Sequence, residues 1–297
     1  MWNLPEEQHL TLMPAYLYDF ANSALAYAHS LLPVLAACLV LELLLPLGKA
    51  TFASRFRGAG FWVAYVVITT AFFAAFNSLW SGLGLRPLFT LDLSILSHSE
   101  HPAVRWPAYI AIAIVSTILG DFFYYWFHRL QHTSSFLWRF HEVHHAIRDM
   151  NAVNSAHHWT EEIFRIPFIV VPMTLLINWN TGYIPAMIGA IMGAQGIYEH
   201  SATRFSLGWL RYIVPDNRFH RMHHSIHKSD WNRNFGSGSA IWDVVFRTAR
   251  FPRRDEWPEV GVPGVAEPRT MADYLFMPFR RRAPSIAAQS TENVTTQ

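Results

Sequence analysis

The chain has 297 residues, 52% hydrophobic, 15% aromatic and only 15% charged, with a net charge of +2. A soluble domain of this size carries about 25% charged residues, so this composition, with a mean hydropathy of +0.14, points to a membrane protein. The small charge argues against a nucleic-acid partner, and a single cysteine, Cys38, excludes a disulfide framework, a Cys-based zinc site and a rubredoxin-like iron site.

Glu6, Glu7 and Asp19 precede the first apolar stretch where a basic run would be needed, so no cleaved signal peptide is expected. That stretch runs from Leu31 to Leu47. The second, Gly60 to Trp80, has 21 uncharged residues, enough to cross about 30 Å of hydrocarbon. The third runs from Trp106 to Phe127 with only Asp121 inside it. Ile166 to Tyr198 is 33 residues without a charge, broken by Asn178-Trp179-Asn180-Thr181-Gly182. This is too long for one helix and predicts a tight hairpin of two short, prolyl-kinked membrane segments. The expected fold is all-α and membrane-integral: about four spanning or re-entrant segments and a cytosolic helical cap. The expected divisions are an N-terminal region 1–105 with two membrane helices, a catalytic domain 106–250 and a polar, partly disordered tail 251–297.

Basic residues orient the segments. Lys49, Arg55 and Arg57 separate segments one and two; Arg129, Arg139, Arg148 and Arg165 separate three and four; the C-terminal region is again rich in arginine. One threading puts all these loops on one side, which is then cytoplasmic.

Histidine is the unusual component: of 16, seven lie between His128 and His158 and four between His220 and His227. They form three boxes: His128-Arg-Leu-Gln-His132, His141-Glu-Val-His144-His145 and His220-Arg-Met-His223-His224. Helical residues three and four apart share a face, so each box is expected to aim two or three imidazoles at one point. A lone His-x-x-x-His pair is commonly incidental. Three boxes beside membrane segments on one side are not, because polar groups at that depth cost free energy. Eight imidazoles exceed the needs of one tetrahedral zinc and suit two metals of higher coordination. His200 and one of His157 and His158 add to them. Asp121, Glu161 and Asp243, with Glu142 and Glu199, are candidates to hold the outer nitrogens of the rings.

The run Asp121 to His132, then Leu137-Trp138-Arg139-Phe140-His141 to His145, resembles the fatty acid hydroxylase/sterol desaturase superfamily. So do Arg218-Phe219-His220 to Ser225, Asn234-Phe235-Gly236 and Trp242-Asp243-Val-Val-Phe246. The resemblance covers roughly residues 106–250. It implies a membrane scaffold with two iron ions that activate O2 to hydroxylate or desaturate a lipid such as a sterol or fatty acyl chain. The ligands it implies are His128, His132, His141, His144, His145, His200, His220, His223 and His224. It adds a histidine from Ala156-His157-His158-Trp159-Thr160-Glu161, where alignment on Glu161 leans to His158 and leaves His157 open. The family's usual Arg and Pro are missing from that stretch; Phe235 stands where Tyr is usual, and Arg247 where Gly normally follows the Phe.

No haem-binding His-Pro-Gly-Gly, Rossmann glycine pattern or iron–sulfur cysteine set is present. Electrons are therefore expected from a separate cytochrome b5 or ferredoxin with its reductase. Without a dilysine-type retrieval signal in Thr-Glu-Asn-Val-Thr-Thr-Gln, a bacterial inner membrane is expected over the endoplasmic reticulum. Two rival readings are a zinc-dependent membrane hydrolase, for which His-Glu-x-x-His is absent, and a non-catalytic lipid-binding protein, which would have lost ligands.

Overall fold

The computed structural model describes residues 15–48, 50–93, 101–181 and 183–280. Helix α1 spans Ala15–Leu44, α2 Phe52–Gly82 and α3 Pro102–Thr133. By length and composition α2 and α3 could each cross a membrane, and His29–Leu44 within α1 is a shorter apolar stretch. Large apolar side chains on their outer faces are exposed, among them Leu43, Val63, Leu79 and Val115, the pattern of helices that face lipid.

Local signals set the helix ends. Thr51 caps α2 by accepting from Ser54 N at 3.1 Å, and Pro102 opens α3 where its missing N–H costs nothing. At about 1.5 Å per residue, α3 is longer than the hydrocarbon layer. His128 and His132 lie in its last turns. Ser134 then does two jobs: its N–H bonds Leu130 O at 2.8 Å, closing α3, and its hydroxyl accepts from Leu137 N, starting α4 (Ser135–His145). One residue thus fixes the angle between the first and second boxes.

The predicted hairpin is present in altered form. Its first arm is α5 (Glu161–Arg165), a π-helical turn Ile166–Val170 containing Pro167, and α6 (Val171–Leu176). Its second arm is α7 (Tyr183–His200), which packs against α1 and α3. All-α is not quite correct. Strand β1 (Phe89–Leu91) pairs in parallel with β2 (Ile177–Trp179), Thr90 opposite Asn178. The pairing occurs because neither segment has helical partners for its backbone there. It joins the connection between α2 and α3 to the hairpin turn, both at the end of the helices away from the boxes.

After α7, α8 (Asn217–His223) is capped by Asp216, which accepts from Phe219 N at 3.0 Å, and α9 covers Ile241–Val245. The division expected at residue 250 does not mark the end of the fold. Residues 251–280 pack on the cap through α10 (Met271–Phe276), because they carry apolar groups that must be buried. Tyr274 stacks on Phe61 of α2, ring centroids 4.5 Å apart, within a cluster that includes Val143, Ala146, Val262 and Met277. The polar stretch from Pro284 onward lies outside the described residues.

Candidate metal centre

The three boxes converge. His128, His132, His141, His145 and His223 each bring one nitrogen into a group no more than 4.8 Å across, and His144, His200, His220 and His224 form a second group of the same size. The expectation that each box aims at one point needs correction. Helical residues i and i+4 lie about 40° apart around the axis, whereas i+3 and i+4 lie about 100° apart. Adjacent histidines therefore diverge. His141 and His145 enter the first group and His144 the second; His220 and His224 enter the second and His223 the first. Boxes two and three are each divided between the two groups, which ties the groups into one unit.

The spacing within each group is informative. In the first, His128 Nε2 and His145 Nε2 lie 2.9 and 3.1 Å from His141 Nε2. In the second, His200 Nε2 lies 3.1 Å from that of His144 and 3.0 Å from that of His220, itself 3.1 Å from that of His224. Two nitrogens held about 2.1 Å from one metal sit about 3.0 Å apart at a right angle and about 3.4 Å apart at the tetrahedral angle. Nitrogens this close together are within reach of a common metal ion.

Four outer nitrogens are held by acceptors, whereas Nδ1 of His144, His220 and His224 is buried without one. His128 Nδ1 donates to Phe235 O (2.7 Å), His200 Nδ1 to Gly196 O (2.7 Å), His223 Nδ1 to Arg233 O (2.8 Å) and His141 Nδ1 to Glu161 Oε2 (3.1 Å). Each bond places the proton on Nδ1 and leaves the Nε2 lone pair facing the cluster. His132 Nε2 and His223 Nε2 are buried with no hydrogen-bond partner, a cost that a bound cation would remove. Burial, reinforced by neighbouring rings, holds His144, His145, His220 and His224 well below the usual imidazole range. All four are then neutral near pH 7, the form that binds metal. The residues fit a pair of imidazole-bound metal ions.

Residues 113–248 match the fatty acid hydroxylase family. The chain is 29% identical over 188 residues to ornithine lipid hydroxylase OlsE of Rhizobium tropici, covering 62% of this chain and 55% of that protein. It is 28% identical over 137 residues to human alkylglycerol monooxygenase (45% and 29%), and 28% identical over 166 residues to fatty acid hydroxylase vlmA of Lecanicillium sp (49% and 44%). Residues 113–248 belong to the fatty acid hydroxylase superfamily. The matched part spans about half the length of the first relative and under a third of the human one. No solved structure matches.

Against this family pattern, the alignment that leaned to His158 is corrected by the geometry. His158 turns away from both groups: Nδ1 bonds Thr160 Oγ1 at 2.6 Å, and Nε2 meets Leu275 O at 3.3 Å. His157 faces the cluster instead, stacked on His144 with centroids 3.8 Å apart. Its Nδ1 donates to Glu161 Oε2 at 3.2 Å, so His141, His157 and Glu161 form a third close group.

The carboxylates divide by role. Glu161 touches imidazoles, as expected of a residue that orients them. Asp121 and Asp243 touch no ring among the described residues. Asp121 accepts from the backbone N–H groups of Ser237, Gly238 and Ser239 (3.1, 2.8 and 3.0 Å). Asp243 accepts from Phe235 N and Gly236 N (2.9 and 2.7 Å) and from Thr248 Oγ1 (2.6 Å). Both fold the 235–239 turn, whose Phe235 carbonyl holds His128. Gly236 is required there, because a Cβ would sit 2.2 Å from Ser239 O. Phe235, with no hydroxyl to place, lies edge-on to His128, His132 and His223.

Sequence reasoning missed the carbonyls of Phe235, Arg233 and Gly196, and the brace from residues 274–278. In that brace Tyr274 donates to His157 O, and Arg139 donates to Pro278 O through Nε and Nη2 (3.0 and 2.7 Å). Main-chain acceptors leave no signature in side-chain identity.

Proposed function

We propose that this chain is a membrane-bound non-haem di-iron oxygenase that hydroxylates or desaturates a lipid, such as a sterol or fatty acyl chain, with O2 and external electrons. The observation that carries the reading is the convergence of nine histidines into two adjoining groups of nitrogens. One iron would be held by His128, His132, His141, His145 and His223, the other by His144, His200, His220 and His224, with His157 against His144. Bound there, the irons supply O2 activation and removal of hydrogen from an unactivated lipid C–H.

The protein's own residues prepare that chemistry. Glu161 and the three backbone carbonyls fix ring tautomers and orientations. Phe235, Tyr124 and Trp138 pack their rings against the histidines and would keep water from them. The hairpin and α1–α3 would supply four membrane segments, and the arginine-rich loops would place the site at the cytoplasmic face. A lipid then reaches the histidines without leaving the bilayer. A separate cytochrome b5 or ferredoxin, with its reductase, would deliver electrons to the same basic side. Nine histidines in two adjoining groups exceed the three or four protein ligands of a hydrolytic zinc, which favours the oxygenase.

The test is lipid analysis of cells with and without the protein under isotopically heavy O2. A product gaining one labelled oxygen means hydroxylation; one losing two hydrogens means desaturation. An unchanged lipid profile from protein carrying two irons would sink the reading, as would one tightly bound zinc.

A further inference from the structure

A second cavity, of about 700 Å³, opens on the far side of α8 from the histidines and is lined by Arg204, Arg211, Arg218, Arg254, Trp209 and Trp257. Arg218 lies two residues before His220, about 200° around the helix, so it faces away from the rings. No carboxylate lines the cavity. Arg218 is 4% exposed and rigidly held: it donates to Arg254 O at 2.6 Å and to Ser206 Oγ at 2.8 Å, with its guanidinium 5.4 Å from the centre of Trp257. Asp216, 3.6 Å away, offsets part of its charge, yet its buried Nε has no partner. Arg204, Arg211 and Arg254 form no ion pair among the described residues. Four guanidinium groups gathered around one hollow repel one another unless an anion joins them.

The cavity's rim indicates where that anion comes from. The short 3-10 helix Gly208–Tyr212 and the residue after it expose Trp209 (71%), Leu210 (42%), Tyr212 (51%) and Ile213 (45%). Residues 202–204, between α7 and this segment, are tied to the end of α1, where Leu47 N donates to Ala202 O and Arg204 N to Leu45 O. Leu43 and Leu44 of α1 are fully outward there. Trp, Tyr and Arg beside an outward apolar patch, at the level where two helices leave the apolar layer, form an interfacial belt.

We propose that this cavity binds the phosphate of an anionic lipid headgroup, with Trp209, Leu210 and Ile213 seated in the acyl boundary beside it. Guanidinium forks match phosphate oxygens in pairs, and Arg218 is already fixed in place by its backbone and hydroxyl acceptors. A hollow of this size suits a headgroup, whereas an acidic protein partner would want a broad patch. The proposal rests on the membrane placement above but not on the metal chemistry.

The experiment is calorimetric titration of the detergent-solubilised, metal-loaded full chain with short-chain phosphatidylglycerol, short-chain phosphatidylcholine and inorganic phosphate. Phosphatidylglycerol should bind saturably, and the other two more weakly. The double variant Arg204→Ala/Arg254→Ala, at two exposed positions, should bind it about tenfold less tightly or worse with an unchanged melting temperature. Trp209→Ala should weaken the lipid but not inorganic phosphate. Equal binding by the double variant, or of phosphatidylcholine, overturns the site; phosphate binding as tightly as the lipid overturns the lipid source. A chain that stays monodisperse without detergent would instead remove the membrane placement itself.

Discussion

His157 lies face to face with His144, planes 14° from parallel, while its neighbour His158 points the other way to Thr160 and Leu275. His157 is thus the one of the pair that adjoins the histidine groups. His157→Ala is expected to lower metal content and activity. His158→Ala is expected to keep both metals and lose about 1–3 kcal/mol of stability, because it leaves buried Thr160 and Leu275 groups unpaired. Metal-to-protein ratios of the two purified variants decide the point, and the reverse ranking would return the ligand to His158.

Glu161 accepts from His141 Nδ1, His157 Nδ1 and Gln131 Nε2 (2.8 Å) at once. Burial resists its ionisation, but the two rings and their N–H donors outweigh that and hold the carboxyl well below its usual range. Glu161→Gln keeps the shape but loses the charge and turns one acceptor into a donor. Metal affinity should fall about 10–100-fold, read by competition with a chelator. Affinity equal to wild type would show that Glu161 does not orient the rings.

The histidine boxes were legible because i, i+3 and i+4 spacing is a property of sequence. Their division into two groups was not, since it depends on how α3, α4 and α8 meet. That angle is set by Ser134 and Asp216, whose capping roles are individually ordinary. Asp121 and Asp243 were candidates to hold outer ring nitrogens, yet their partners are backbone amides of the 235–239 turn, which no side-chain pattern reveals. Three long apolar stretches marked the helices but not the β1–β2 pairing, for which three-residue segments carry too little signal. The packing of residues 251–280 was hidden by their many prolines and charges, although Tyr274, Met277 and Val262 are the ones that are buried.

Asp149, just after box two, holds the start of α2 by accepting from Thr51 N and Thr51 Oγ1 (3.0 and 2.9 Å). Burial opposes its ionisation, but donors on Ser54, Thr51 and Asn151 prevail and lower its pKa. The folded value therefore lies below the unfolded value of about 3.9. Its contribution is complete above that pH and is lost as pH falls through the folded value. Asp149→Asn should be less stable than wild type near neutrality, and the gap between their urea midpoints should close in acid. A gap independent of pH would mean that the charge is not what matters.

Arg247 is exposed and has φ +60°, a left-handed conformation that an L side chain resists and glycine does not. The turn needs it, because Thr248 N and Ala249 N both return to Asp243 O (2.8 and 3.0 Å). Thr248 Oγ1 then reaches Asp243 Oδ1, the same carboxylate that sets the turn holding Phe235. The turn thus bears the strain of an arginine in a conformation that suits glycine. Arg247→Gly should therefore raise stability by about 0.5–1 kcal/mol, since relief of the backbone exceeds the added freedom of the unfolded chain. Thermal unfolding in detergent measures it. A lower melting temperature would show that the guanidinium makes a compensating contact, and would turn attention from the backbone of the turn to what that arginine touches.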